Sequence, residues 1–572
     1  MLRALGGAAA RVALPQVLRA SSETPAAKPA FGASTTSGGD AFEEVPPSAS
    51  GIAWVHVSGQ SPEMYLPETV GAGCAFLDYD NDGWMDIYLV NSGSCDFYTP
   101  NAPLRHALYR NNRDGTFTDV TMKAGVPGNA YGMGVAVGDY DGDGLPDLYV
   151  TQYPHSILYH NRGDGTFEDV TAKAGVASPG WNTSAVWFDC DNDGRLDLFV
   201  CRFCEFDKSK NIFCGYGPTH SRWYCKPTPF TPISCRLFHN NGDGTFRDVS
   251  KETGIANVLG KAWGVVAADI NNDGWMDLFV GNDTVANFLF VSRHGRFEEI
   301  GGLAGVAYSN FGLARSGMGV DAGDYDQDGW VDLFVSNVDH ESFSLYHNEK
   351  DETFNDAAPL TGIAGATRLL SGWGMKFIDY DNDGNLDLIL ANGHPDLMVE
   401  RRMQDVKYEE PMMLFRREGK GFQDVSATSG KIFSRSLSAR GLALGDFDND
   451  GAVDVLVSTN NAAPVLLRNR AGRENHWLGL RLVGRRANID AVGAKVTYQA
   501  GELRRSVVKV GGGSYLSAHD PRLVLGLGKH EKIDWLEIKW PAPSEKVERL
   551  TDLPMDRYVT IVEGEGKWKV EA

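Results

Sequence analysis

An all-β fold is predicted, a seven-bladed β-propeller followed by a small C-terminal β domain, and three observations predict it. A nine-residue acidic pattern, D-x-[DN]-x-D-G-x-x-D, occurs seven times, beginning at Asp78, Asp139, Asp189, Asp269, Asp324, Asp379 and Asp446. A second motif with the core N-x-x-G-T-F alternates with it. From about residue 471 both motifs stop and simple apolar–polar alternation takes over. Each period offers four strands: one entering the acidic loop, one leaving it, and a hairpin through the N-x-x-G-T-F turn. Four strands repeated seven times, closed radially so that few edges stay open, make a propeller.

The acidic loop is a ligand set for a hard cation. Oxygens at positions 1, 3, 5 and 9, with a glycine at 6 for the sharp turn, wrap one Ca²⁺. The predicted ligands are Asp78, Asp80, Asp82 and Asp86; Asp139, Asp141, Asp143 and Asp147; Asp189, Asp191, Asp193 and Asp197; and Asp269, Asn271, Asp273 and Asp277. They continue with Asp324, Asp326, Asp328 and Asp332; Asp379, Asp381, Asp383 and Asp387; and Asp446, Asp448, Asp450 and Asp454. About seven Ca²⁺ are expected, the fourth held more weakly because Asn271 is neutral. An EF-hand opens the same way but needs Glu at position 12 and flanking helices. Here position 12 is Leu89, Val150, Val200, Val280, Val335, Leu390 and Val457, inside short apolar runs that read as strands.

The 572 residues are too many for one ordinary core, so a repeat domain plus a smaller one is expected. The formal charge of −21 is mostly ligand: 27 of the 75 acidic residues belong to the seven loops. Residues 1–470 carry −24, which falls to about −10 with seven Ca²⁺, whereas the tail carries +3. That balance, with no interleaved basic and aromatic motif, excludes nucleic acid as the expected partner. No apolar run approaches the roughly 18–20 residues of a membrane helix, so no membrane span is expected.

In chain order, residues 1–40 hold Arg3, Arg11 and Arg19, then a Pro, Ser, Thr and Gly mixture that cannot build a core. They read as a disordered leader or targeting segment, an export signal or alternatively an organelle transit peptide. Residues 41–470 are the propeller. Its seventh repeat lacks an outer strand, and Phe42-Glu43-Glu44-Val45 matches the missing piece, so the N-terminus is predicted to close the ring. Glycines such as Gly132, Gly134, Gly317, Gly319, Gly372 and Gly374 are expected to let the innermost strands crowd the axis. An insertion over residues 201–235 holds Cys201, Cys204, Cys214, Cys225 and Cys235, as disulfides stapling a long loop or as a zinc clip at Cys201–Cys204. Residues 471–566 alternate in period two, as in Trp535-Leu536-Glu537-Ile538-Lys539-Trp540, and predict a small antiparallel β domain.

These repeats resemble the FG-GAP/VCBS propellers. The tail, from Asn475-His476-Trp477-Leu478 through Asp490-Ala491-Val492-Gly493-Ala494-Lys495-Val496 and Gly511-Gly512-Gly513-Ser514-Tyr515-Leu516-Ser517 to Leu525-Gly526-Leu527-Gly528, is similar to the ASPIC/UnbV domain. Together they cover residues 42–566 in the order of the cartilage acidic protein family, whose insertion the pair Cys214 and Cys225 also resembles. The resemblance implies a calcium-binding, extracellular adhesion or recognition protein.

Two functions are weighed. One is a non-enzymatic module whose loops bind a protein or glycan; the other is a carbohydrate-active enzyme of the polysaccharide lyase kind. Candidate groups on the face opposite the acidic loops are Tyr153, His155, Asn282, Asp283, Asp339, His340, His394 and Asp396, each read singly as a solvated loop residue. Variable connections on a rigid scaffold are where recognition usually sits, and the basic tail around Arg504 and Arg505 is the second choice. No G-x-S-x-G, H-E-x-x-H or phosphate loop is present.

Overall fold

The computed structural model describes residues 40–216 and 221–571. Blade 1 shows the unit: Cys74–Leu77 leads into the acidic loop, Asp86–Leu89 leaves it, and Ala107–Asn111 and Phe117–Asp119 form the outer hairpin. Six further antiparallel sheets repeat it, five of them four-stranded and the sheet of blade 4 extended to five by a strand from the tail. Their innermost strands are Tyr131–Gly138, Asn182–Phe188, Ala262–Ala268, Val320–Gly323, Gly372–Ile378 and Ala439–Gly445. Successive inner strands pack against each other, and the seventh packs against the first, so the ring is closed.

The outer strand of blade 7 is Phe42–Val45, paired antiparallel to Val465–Asn469 with Phe42 opposite Asn469 and Val45 opposite Leu466. Phe42 is buried against Tyr380 and Phe433. Chains beginning at residue 40 and at residue 53 should therefore differ sharply in thermal melts. Loss of Phe42 alone corresponds to about 3–5 kcal/mol, and equal melting temperatures would refute closure by the N-terminus. The leader expected over residues 1–40 lies, up to residue 39, outside the described residues.

Each second strand begins at the ninth loop residue: Asp86, Asp147, Asp197, Asp277, Asp332, Asp387 and Asp454. The asparagine ending the third strand has a separate task. Asn161, Asn240, Asn348, Asn469 and Asn111 each donate from Nδ2 at 2.8 Å to a carbonyl of the preceding blade: Tyr79, Tyr140, Ile270, Tyr380 and Phe447 respectively. The last of these ties blade 1 to blade 7. In blade 6 the guanidinium of Arg417 serves instead, on the carbonyl of Tyr325.

The tail folds into two four-stranded sheets around one shared core of Leu478, Leu480, Val496, Tyr498, Leu536, Ile538 and Trp540. Two details differ from the sequence expectation. The domain is not wholly antiparallel, because His476–Val483 pairs parallel with Tyr558–Val562; the chain between them crosses the other sheet, the long connection a parallel pair requires. Strand structure also continues past residue 566, to Trp568–Val570.

The axis of the ring is filled by the tail itself. Residues 511–518 run into the central channel and hydrogen-bond to the inner strand of every blade. Gly511 and Gly512 pair with Ala267 and Val266 of blade 4. Ser514 joins Val320, Met375 and Leu442 of blades 5, 6 and 7. Leu516 joins Ser184 and Val135 of blades 3 and 2, and Ala518 joins Cys74 of blade 1. The channel glycines serve two purposes: Gly73, Gly134 and Gly441 make room for this plug, whereas Gly319 and Gly374 admit the neighbouring inner strand, at Trp373 O and at Leu442, as the sequence predicts. A Cβ on Gly73 would lie 1.6 Å from the Leu516 carbonyl oxygen, and one on Gly441 2.6 Å from Ser517 Oγ. Within the plug, Tyr515 is fully buried between Trp263 and Trp373, its hydroxyl donating to the Val70 carbonyl at 3.2 Å.

Candidate metal centres

All seven loops are built alike. The first Asp accepts the N–H groups of positions 5 and 6 on its two oxygens, as Asp78 does from Asp82 and Gly83, both at 2.9 Å. The ninth Asp joins the loop to the third strand: Asp86 accepts Tyr79 N on Oδ2 and Asn111 N on Oδ1. Position 4 lies in the left-handed region, φ 56° at Asn81, a conformation asparagine tolerates. Asn81, Asn192, Asn382 and Asn449 use their side chains to donate to the position-6 glycine carbonyl of the next blade, as Asn449 does to Gly83 O at 2.9 Å.

The third Asp differs from its neighbours. Asp80, Asp326, Asp381 and Asp448 each keep an Oδ1 that is buried and has no hydrogen-bond partner, and Asp387 keeps such an Oδ2. A buried carboxylate oxygen without a donor is costly, and a cation in the loop removes the cost. The titration of the loops says the same. Burial is the first cause of every shift, reinforced by neighbouring loop carboxylates: Asp78 is pushed up to about 6, Asp139 and Asp189 to about 7 and Asp332 to about 9. The oxygens of Asp78, Asp80 and Asp82, and of Asp139, Asp141 and Asp143, converge closely enough to share one ion.

Sequence reasoning missed the residue that faces these carboxylates from the third strand, one place before its final asparagine or equivalent. It is Arg110, His160, His239, Val291, His347, Arg416 and Arg468 in blades 1 to 7. Arg110 Nε lies 2.7 Å from Asp80, His160 Nδ1 3.2 Å from Asp147 and Arg468 Nε 3.0 Å from Asp448. The uncharged Val291 stands in blade 4, the loop that carries Asn271. That loop has another compensation: Glu352, in the hairpin turn of blade 5, accepts from Asn271 Nδ2 at 2.9 Å. The departure of Asp351-Glu352 from the usual Asp-Gly was the signal for it.

The tail domain sits on these loops, and its excess of basic residues finds its use there. Arg481 donates to Asn81, Lys495 to Gly329 O, Arg505 to Gly384 O and Asn385, and Arg522 to Asn449 and Asp446 O. Tyr558 donates its hydroxyl to Asp446 Oδ2 at 2.7 Å. Arg505 is thus committed to blade 6, which removes it from the free basic surface expected around Arg504 and Arg505.

On the opposite face the reading of the candidate groups as solvated needs correction. Tyr153, Asn282, Asp283, His394 and Asp396 are buried, and only His155 and His340 are exposed. Tyr153 belongs to the aromatic cluster of Trp181, Trp263 and Trp373, over which Phe97, Phe206 and Phe230 pack, while His394 is held by Asp339 and Asp396 by Arg402. Asp339 nonetheless gathers two histidines, His394 Nε2 at 3.1 Å and His340 Nδ1 at 2.8 Å. His340 reaches Asp405 as well, at 3.2 Å. Burial alone would raise Asp339, but the two histidine hydrogen bonds outweigh it and hold its carboxyl down at about 2. In the insertion, Cys214 and Cys225 form a disulfide, while Cys201, Cys204 and Cys235 are buried free thiols.

The sequence matches the family described as ASPIC and UnbV over residues 484–567. It matches the FG-GAP-like repeat over residues 78–150, 139–200, 234–280, 273–335 and 324–390. It is 26% identical to cartilage acidic protein 1 of Homo sapiens over 498 residues, covering 84% of this chain and 62% of that protein. The chain therefore spans less than two thirds of that relative's length. It is 30% identical to integrin alpha-6 of Gallus gallus over 162 residues, 26% of this chain and 14% of that one. Among solved structures it is similar to rhamnogalacturonan lyase YesW, with a TM-score of 0.36 and 12% identity over 70% of this chain and 72% of that one.

Proposed function

Because the chain carries FG-GAP-like repeats and an ASPIC/UnbV domain and is a distant homologue of cartilage acidic protein 1 over most of its length, we propose that it is a calcium-binding recognition protein. It acts outside the cell and is of the adhesion type. The observation that carries the calcium reading is the buried, partnerless Oδ1 at the third position of four separate loops. Hard carboxylate oxygens in a flexible loop suit Ca²⁺. The fourth loop, with Asn271 in place of an aspartate, is the weakest of the seven. The disulfide of the insertion supports an oxidising compartment, and no described helix is long and apolar enough to cross a membrane.

The tail domain covers the loop face, so a protein or glycan ligand meets the other face, where His155 and His340 are exposed and the connections are longest. The reading is of a binding module rather than a carbohydrate-active enzyme. Metal analysis after exhaustive dialysis tests it first: fewer than about four retained ions per chain would sink the assignment of the loops. Capture on a glycan and protein array, with and without His155→Ala and His340→Ala, tests the face; uronate-lyase products in the same preparation would overturn the non-enzymatic reading.

A further inference from the structure

The third loop differs in kind from its six sisters. Its second residue is Cys190, where the others carry Tyr79, Tyr140, Ile270, Tyr325, Tyr380 and Phe447. The facing residue of the third strand is His239. Ligand atoms of Cys190, Asp191, Asp197 and His239 all lie within 4.8 Å of one another. His239 Nδ1 is 3.2 Å from Asp197 Oδ1 and 3.4 Å from Asp191 Oδ2. Cys190 and Asp197 are buried at 3% and 0% exposure, and the Cys190 thiol faces the Asp197 carboxylate. The backbone fixes that carboxylate from two sides: its Oδ2 accepts Cys190 N at 2.9 Å and its Oδ1 accepts Asn240 N at 2.8 Å.

We propose that the loop of blade 3 is a zinc site, held by Cys190 Sγ, His239 Nδ1 and the carboxylates of Asp191 and Asp197. The inference rests on the reading of the loops as metal sites. Zn²⁺ takes a thiolate, an imidazole and two carboxylates as four donors, whereas Ca²⁺ takes the carboxylates but neither the thiolate nor the imidazole. Zinc bond lengths of about 2.0–2.3 Å place tetrahedral donors about 3.3–3.8 Å apart, so the cluster needs only small side-chain shifts to close. On binding, the thiol proton leaves to solvent and the Zn–S bond takes its place. Asp191 and Asp197 belong to the calcium set of the same loop, so one ion or the other occupies it. The loops of blades 2 and 5 are the internal controls: His160 stands against Asp141 and Asp147, and His347 against Asp326 and Asp332, but neither loop has the thiol.

The full chain, equilibrated with both Ca²⁺ and Zn²⁺ and then dialysed, should retain one Zn²⁺ alongside six Ca²⁺. With Co²⁺ in place of zinc it should show the near-ultraviolet charge-transfer band of a cobalt thiolate. Cys190→Ser, a change of one atom at a packed position, should lose the zinc and the band, as should His239→Asn; His160→Asn should keep both. Seven Ca²⁺ with no zinc, or zinc and the band surviving in Cys190→Ser, would overturn the zinc site while leaving the calcium loops standing. One zinc with no calcium would do the reverse.

Discussion

Chelation should lower the melting temperature of this protein by about 15–20 °C. Each loop site, at a metal concentration a hundredfold above its dissociation constant, adds about 2.7 kcal/mol, so seven sites together approach about 19 kcal/mol. Spread over the unfolding entropy of the roughly 530 described residues, about 1.1 kcal/mol per degree, that gives the shift stated. The direction follows from the loops themselves. The ninth aspartates are buried at the starts of the second strands, with Asp147, Asp197, Asp332 and Asp454 wholly inaccessible. The third-position aspartates Asp80, Asp326, Asp381 and Asp448 keep a buried oxygen with no protein donor, which a cation satisfies. Differential scanning fluorimetry with and without EDTA, followed by Ca²⁺ add-back, measures it. A curve that does not move would mean that the carboxylates are held by Arg110, Arg416, Arg468 and the histidines alone, with no energetic need for metal.

How much of this was legible in the sequence depends on whether a residue's role is local. Asp78-Tyr79-Asp80-Asn81-Asp82-Gly83 carries its own turn chemistry, and the apolar run after Asp86 carries its own period, so loop and strand could both be read from a dozen residues. The closing strand was legible because Phe42-Glu43-Glu44-Val45 copies Phe117-Thr118-Asp119-Val120. The asparagine staples were not, although Asn111, Asn161 and Asn240 stand one place ahead of the N-x-x-G-T-F position, and Asn348 and Asn469 end the matching runs Leu345-Tyr346-His347-Asn348 and Leu466-Leu467-Arg468-Asn469. A side chain that donates to the neighbouring blade looks, in sequence, like a hairpin turn residue. The burial of His394 was hidden for the same reason, since its partner Asp339 comes from the neighbouring blade. The site residues on the metal face were named from spacing, whereas His239 is brought to its loop by sheet pairing and Glu352 reaches the fourth loop from the neighbouring blade.

The least legible element has the second large effect. Gly511-Gly512-Gly513-Ser514-Tyr515-Leu516-Ser517 has no helical or strand period, and Ser514 and Leu516 adopt left-handed backbone, φ 66° and 56°. Such a segment holds its shape only because the ring surrounds it. Tyr515→Ala should therefore cost about 3–5 kcal/mol, the range for emptying a buried aromatic site, which is about 3–5 °C for a chain of this size. Gly73→Ala should do more, because its new Cβ falls 1.6 Å from the Leu516 carbonyl oxygen, where backbone rather than a flexible side chain must move. The two variants separate packing from docking. Tyr515→Ala leaves the hydrogen bonds of residues 511–518 to the seven inner strands in place, so the melt shifts but the plug stays protected. Gly73→Ala evicts the segment, so residues 511–518 should become open to hydrogen exchange and to proteolysis. The tail domain, which reaches Asp446 through Tyr558 and Arg522, should then loosen its hold on the seventh loop and lower its calcium retention. Unchanged exchange at residues 511–518 in Gly73→Ala would show that the ring widens to accept the methyl group and that the plug does not set its diameter.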